Sequence, residues 1–108
     1  MNSIKNSVQL VGHIGKDPII TVLDDGKKIA RFQLATNENY VSNDEKHVNT
    51  NWHSIVAWNK TAVIIENHLN KGDHVAIQGK LVSRSYNDKD GNKRYITEVK
   101  VREILMLK

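Results

Sequence analysis

The sequence predicts an all-β domain carrying one short helix, and three observations support that expectation. Apolar and polar side chains alternate at period two over most of the chain. The breaks between these runs are built from Gly, Asn, Asp and Pro, and only one window has apolar residues recurring every third or fourth position. At 108 residues the chain suits one domain with one modest core, so residues 1–108 are expected to form a single unit.

The elements follow in order. From 7 to 14, Val8, Leu10, Gly12 and Ile14 share one parity, which reads as a first strand with an apolar inner face. Gly15-Lys16-Asp17-Pro18 breaks it. Residues 19–23 run extended into Asp24-Asp25-Gly26-Lys27, a hairpin turn because Asp and Gly tolerate positive φ. Residues 29–37 return as a strand with Ala30, Phe32 and Leu34 on one face and Arg31 and Gln33 on the other. Residues 38–50 are polar and rich in Asn, which predicts an exposed loop with Tyr40 near the strand end.

The run 51–58 alternates again, with Trp52, Ser54, Val56 and Trp58 on one side and His53, Ile55 and Ala57 on the other. Among two Trp, three Tyr and one Phe, both indoles thus share one face of one strand. By alternation alone that face is either core or an outward platform. Asn59 is expected to cap a helix in which Ala62, Ile65 and Leu69 face inward, ending at Lys71-Gly72. From Asp73, Val75, Ile77, Gly79 and Leu81 face one way, while Ala76, Gln78, Lys80, Val82, Arg84 and Tyr86 face the other. The stretch 87–93 is a hairpin tip, and residues 94–106 form a last strand with Tyr95, Val99 and Val101 on its apolar parity; Tyr95 therefore reads as core. Three strands, a helix and two further strands is the order of an OB-fold, a five-stranded Greek-key barrel used for oligonucleotides and oligosaccharides.

Composition narrows the chemistry. Lys and Arg number 16 against 12 Asp and Glu, a formal charge of +4 that favours a polyanionic partner. With no cysteine there is no disulfide, thiol nucleophile or thiolate metal site. The five histidines show no metal-ligand spacing, no Gly-rich phosphate loop is present, and Asp88-Lys89-Asp90-Gly91 lacks the first ligand of a calcium loop, that position being Tyr86. No cofactor and no metal are expected. His53 and Ser54 are strand neighbours pointing to opposite faces, so they cannot pair as base and nucleophile. No stretch reaches membrane-spanning length and the start carries no signal-like apolar run, which predicts a soluble, cytoplasmic protein.

Five segments then resemble one family in order and spacing. They are Gly12-His13-Ile14-Gly15-Lys16-Asp17-Pro18, Phe32-Gln33-Leu34-Ala35-Thr36, Trp52-His53-Ser54-Ile55-Val56, Leu69-Asn70-Lys71-Gly72-Asp73 with Val75-Ala76-Ile77-Gln78-Gly79, and Asp90-Gly91-Asn92-Lys93-Arg94-Tyr95 leading to Thr97-Glu98-Val99. Together they resemble the bacterial-type single-stranded DNA-binding proteins over nearly the whole chain. The resemblance implies an OB-fold that coats single-stranded DNA without strong sequence preference in replication, recombination and repair, near the nucleoid. It also implies a homo-oligomer, a tetramer rather than a dimer.

Family stacking positions hold Tyr40, Trp52, Trp58 and Tyr86 here, two of them tyrosine where relatives carry tryptophan, and Trp58 where phenylalanine is common. With Ile55 and Ala57 already supplying a core on the opposite face, the resemblance turns the tryptophan face into a platform, and His53 into a satisfied or interface histidine pointing away from it. Lys60, Lys71 and Arg84 match basic family positions, and Lys80 and Arg31 join them from the polar faces of their strands. Thr21 and Val82 are neutral where relatives are basic, so a smaller electrostatic share is expected. Typical members continue into a linker and acidic tip that recruits other enzymes; the chain ends at Leu105-Met106-Leu107-Lys108, and tail-mediated partners are not expected. An adaptor resembling primosomal replication protein N is the alternative binding module. A metal-dependent nuclease is the enzymatic one, disfavoured because the carboxylates scatter over turns and loops.

Overall fold

The computed structural model describes residues 4–107; the outermost residues of the expected unit, 1–3 and Lys108, lie outside the described residues. After a single 3-10 turn the chain forms β1 (Val8–Ile14), β2 (Ile19–Val22), β3 (Lys28–Ser42), β4 (Glu45–Trp58), α1 (Asn59–His68), β5 (His74–Asn87) and β6 (Lys93–Met106). The strands run β1-β5-β6-β4-β3-β2 across the sheet, and β1 also pairs antiparallel with β3 through His13↔Ala35 and Ile14↔Leu34. That second pairing closes β1, β5, β6, β4 and β3 into a five-stranded barrel with β2 hydrogen-bonded outside β3. The parallel contact Ile55↔Val99 and Val56↔Lys100 joins the two halves. The expected OB-fold is therefore the observed one.

The core lies on the inward parities read from the sequence, although Leu81, on the parity of Val75 and Ile77, is 48% exposed. Ile14, Leu34, Ile55, Ile65 and Val75 are at most 2% exposed, and Ala30, Phe32, Ala57, Ala62, Leu69, Ile77, Val99 and Val101 complete the cluster. Helix α1 contributes Ala62 and Ile65, with Leu69 just beyond its end, and packs against β3, β4 and β6. It is tied to β3 by Lys28 Nζ, 2.6 Å from Glu66 Oε1.

Four expectations are corrected. Residues 38–50 are exposed but not a loop: β3 and β4 stay paired to Ser42↔Glu45, and Asn43 and Asp44, with φ of 53° and 63°, make the two-residue turn between them. The run lacks apolar alternation because this arm projects beyond the barrel and neither of its faces meets the core. Asn59 is not the cap; it is the first helical residue, with φ of 56°, and Trp58 occupies the cap position with no side-chain hydrogen bond. The helix stops at His68, three residues before Lys71, and Gly72 (φ 90°) instead serves a turn in which the Asp73 amide donates to the Asn70 carbonyl over 3.1 Å. Tyr95 is 72% exposed rather than core. Its parity is inward, but the β4–β6 contact begins only at Val99, so the β5–β6 hairpin near Tyr95 has no strand opposite it.

Candidate nucleic-acid interface

Alternation along β4 places Trp52, Ser54, Val56 and Trp58 on the outside of the barrel, opposite core residues Ile55 and Ala57. Trp52 is 59% exposed and its ring lies over the backbone of Gly15: a Cβ at that glycine would stand 2.4 Å from Trp52 Cζ3. Ser54 accepts a 3.1 Å hydrogen bond from Gln33 Nε2, and Val56 is buried on this outer face. Trp58 is less exposed than Trp52, at 37%, with Lys100 Nζ 5.9 Å from its ring. Six residues of strand separate the two indoles by about 20 Å.

The outer parities of β5 and β6 continue this face. Lys80, Val82, Arg84 and Tyr86 from β5 stand across from Lys100, Glu98, Ile96 and Arg94 of β6. Glu98 is buried at 4% exposure, and its two oxygens accept from two strands: Oε1 from Arg84 Nε at 2.8 Å, Oε2 from Arg31 Nε at 3.3 Å. Two guanidinium charges against one carboxylate leave the group at net +1. Arg84 Cζ in turn lies 5.8 Å from the centre of the exposed Tyr86 ring. A shallow cleft of about 280 Å³ opens over Arg31, Arg84 and Glu98 and extends past Gln33 and Ser54 to Lys16.

The structure thus brings Trp52, Trp58, Tyr86, Arg84, Lys80 and Arg31 onto one outer face. Tyr40 is exposed, but by alternation it shares the parity of Leu34 rather than that of Trp52's partner Ala35, and it stands out on the β3–β4 arm. One face of its ring is stacked on His47, with centroids 5.1 Å apart. Lys60 is exposed on the first turn of α1, two residues past Trp58. Lys71 sits on an exposed turn, its amide donating to Asp17 Oδ1 over 2.7 Å, and does not lie on the strand face.

Glu98, Lys100, Lys16 and His47 were not singled out from the sequence. For Glu98 and Lys100 a signal existed: both stand on the polar parity of the last strand, where a lone carboxylate between basic residues needs a partner. His53 is half-buried on the core side of β4, its Nε2 2.9 Å from Thr36 Oγ1, and so points away from both indoles. Among the described residues no group of three or more His, Asp and Glu is arranged to hold a metal ion. At the β5–β6 tip, the Arg94 guanidinium 2.9 Å from Asp88, with the Asn92 and Asp90 amides, holds the Asp88 carboxyl below its ordinary value.

This arrangement of exposed rings among cations on an OB barrel has known counterparts. A structure described as a Plasmodium falciparum SSB complex with single-stranded DNA superposes over the whole of both chains with a TM-score of 0.85 at 33% identity. A single-stranded DNA-binding protein of Bacteroides thetaiotaomicron is 39% identical over 94% of this chain, and one of Chlorobaculum tepidum 41% identical over the same share. The chain spans 65% and 64% of the length of those two relatives. The pattern of the single-strand binding protein family matches residues 5–107. With fold, segments and length of match in agreement, the chain belongs to the single-strand binding protein family.

Proposed function

We propose that the protein binds single-stranded DNA with little sequence preference and protects it during replication, recombination and repair, acting by sequestration rather than catalysis. The observation that carries this reading is the outward pair Trp52 and Trp58, on the face that also holds the Arg31–Glu98–Arg84 group and Tyr86. Rings accept any base by stacking, and cations along the same path meet the phosphates, which is what sequence-tolerant binding requires. Trp52, Trp58, Tyr86 and Tyr40 are the stacking residues of this proposal; Arg84, Arg31, Lys80, Lys60 and Lys71 are the phosphate contacts. Site of action is proposed to be the cytoplasm at the nucleoid; among the described residues no helix is long and apolar enough to cross a membrane.

A homo-oligomer, in its full form a tetramer, is part of the proposal. Val11, Ala76 and Leu105 stand side by side across β1, β5 and β6, and Val11 and Leu105 are 56% and 63% exposed. Such an apolar row on an open sheet face supports burial against another copy. Light scattering over a range of concentrations is expected to give a mass well above that of one chain. A monomer at all concentrations overturns this part.

The test of binding is a titration with poly(dT) and with duplex DNA, followed by intrinsic tryptophan fluorescence. Strong quenching by the single strand, little by the duplex, and affinity that falls with salt are expected. Equal response to both polymers refutes the reading, and no response to poly(dT) favours the adaptor alternative.

A further inference from the structure

We propose that Glu98 is a positioning residue of the nucleic-acid face, whose buried carboxylate sets the Arg31 and Arg84 guanidinia as a fixed pair of phosphate-gripping forks. The proposal rests on the single-strand reading above and deepens it. Glu98 is not a core residue: it stands on the outer parity of β6, yet only 4% of it is exposed because two arginines cover it. Arg84 comes from the adjacent strand β5, and Arg31 from β3, which lies beyond β4 in the sheet order. One carboxylate therefore ties together side chains from opposite flanks of the platform.

Charge alone argues against a carboxylate here. A negative group in the middle of a face meant for phosphates weakens its field, and it is tolerated only if it supplies something else. What it supplies is orientation. Each arginine is bound through Nε, the donor nearest its stem, which leaves the Nη donors at the outer edge of the fork. The two side chains remain 36% and 43% exposed and border the cleft, so those donors are available to a phosphodiester. Arginine loses much rotamer freedom on binding, and a side chain already held in place loses less. The same restraint keeps the Arg84 guanidinium 5.8 Å from Tyr86, where a stacked base and its phosphate would meet ring and fork together.

Glu98→Gln tests this in the full chain, with poly(dT) titrated at several salt concentrations. The variant adds one net positive charge but keeps only one carbonyl acceptor, so it holds one guanidinium instead of two. We expect binding about five- to tenfold weaker, while the slope of log affinity against log salt does not fall, because no cation has been removed. A carboxylate acting only through its charge, or only on stability, gives tighter or unchanged binding of the folded protein; either result overturns the proposal.

The second arm is Glu98→Gln in an Arg31→Met/Arg84→Met background, where no forks remain and affinity is expected to change less than about twofold. A loss there as large as in the wild type overturns the proposal. If that background does not fold, Arg84→Met alone serves: the Glu98→Gln penalty shrinks, and an undiminished penalty refutes it. Wild-type protein that ignores poly(dT) refutes the single-strand reading itself, and this inference with it, whereas a binding wild type with an indifferent Glu98→Gln refutes only the inference.

Discussion

A methyl group added at Gly15 would strike the Trp52 ring and nothing else of consequence. An ideal Cβ there lies 2.4 Å from Cζ3 and 2.9 Å from Cη2 of Trp52, where carbon atoms prefer about 3.5–4.0 Å. The ring must retreat by about 1 Å or more. It can do so, because Trp52 is 59% exposed and the clash is with the far end of a side chain, not with backbone. Gly15→Ala is therefore expected to change stability by less than about 1 kcal/mol, yet to displace a base-stacking surface whose full loss costs about 1–3 kcal/mol. Half of that range is about 0.5–1.5 kcal/mol, or roughly two- to tenfold in affinity for poly(dT).

Gly12→Ala is the control. Its Cβ would stand 2.1 Å from the Ala35 carbonyl oxygen, so the β1–β3 pairing that closes the barrel has to open. Overpacking against backbone costs about 3 kcal/mol and lowers the melting temperature by roughly 10–20 °C. Thermal melts by circular dichroism and fluorescence titrations on both variants check this. Gly15→Ala that binds as the wild type does, or that melts as early as Gly12→Ala, refutes the assignment of the Trp52 ring as an exposed stacking surface resting on the Gly15 backbone.

Three other outcomes follow from the burial and pairing of these side chains. Trp52→Ala is expected to weaken poly(dT) binding about tenfold or more while the melt moves little, whereas Trp58→Ala, whose ring is only 37% exposed, loses binding and also about 2 kcal/mol of stability; equal melting temperatures for the two variants would contradict this. Ile55→Ala removes a side chain 1% exposed at the centre of the barrel, and denaturant melts are expected to show a loss of about 2–5 kcal/mol, with a smaller loss arguing that the β4 faces are reversed. The Asp88 carboxyl, held below its ordinary value first by Arg94, stabilises the β5–β6 tip above the unfolded carboxylate range and loses that contribution as pH falls through its folded value. Amide exchange at Asp90 and Asn92, taken relative to the intrinsic rate at each pH, is expected to lose protection as pH falls from about 5 to 2, and Asp88→Asn to abolish that loss; an identical pH response in the variant would exclude the carboxylate as its source.

The inward faces were legible because strand alternation is local: Ile55, Val75, Val99 and Leu34 need only their neighbours in sequence to declare a side. The same rule failed for Tyr95, whose inward parity is real but whose stretch of β6 runs past the barrel, where no strand faces it. It failed differently over 38–50, where two paired strands lack apolar alternation because neither face of the arm meets the core. Asn59 misled as a cap since the helix already begins at it, with Trp58 in the cap position. Tyr40 is named as a stacking residue by resemblance, but its partner His47 lies across a hairpin whose polar composition predicts a loop.

By itself, then, the sequence determined the order of strands, most of the inward parities, the placing of Trp52 and Trp58 on one shared face and the family. Each of these rests on residue type and on periods of two or 3.6, which are written into neighbouring positions. Only the tertiary structure decided that Arg31, Glu98 and Arg84, from three strands and up to 67 residues apart, share one buried carboxylate, and that the Gly15 backbone lies beneath the Trp52 ring. Those contacts depend on barrel closure and register, which bring distant positions together, and no local pattern records which residues will meet.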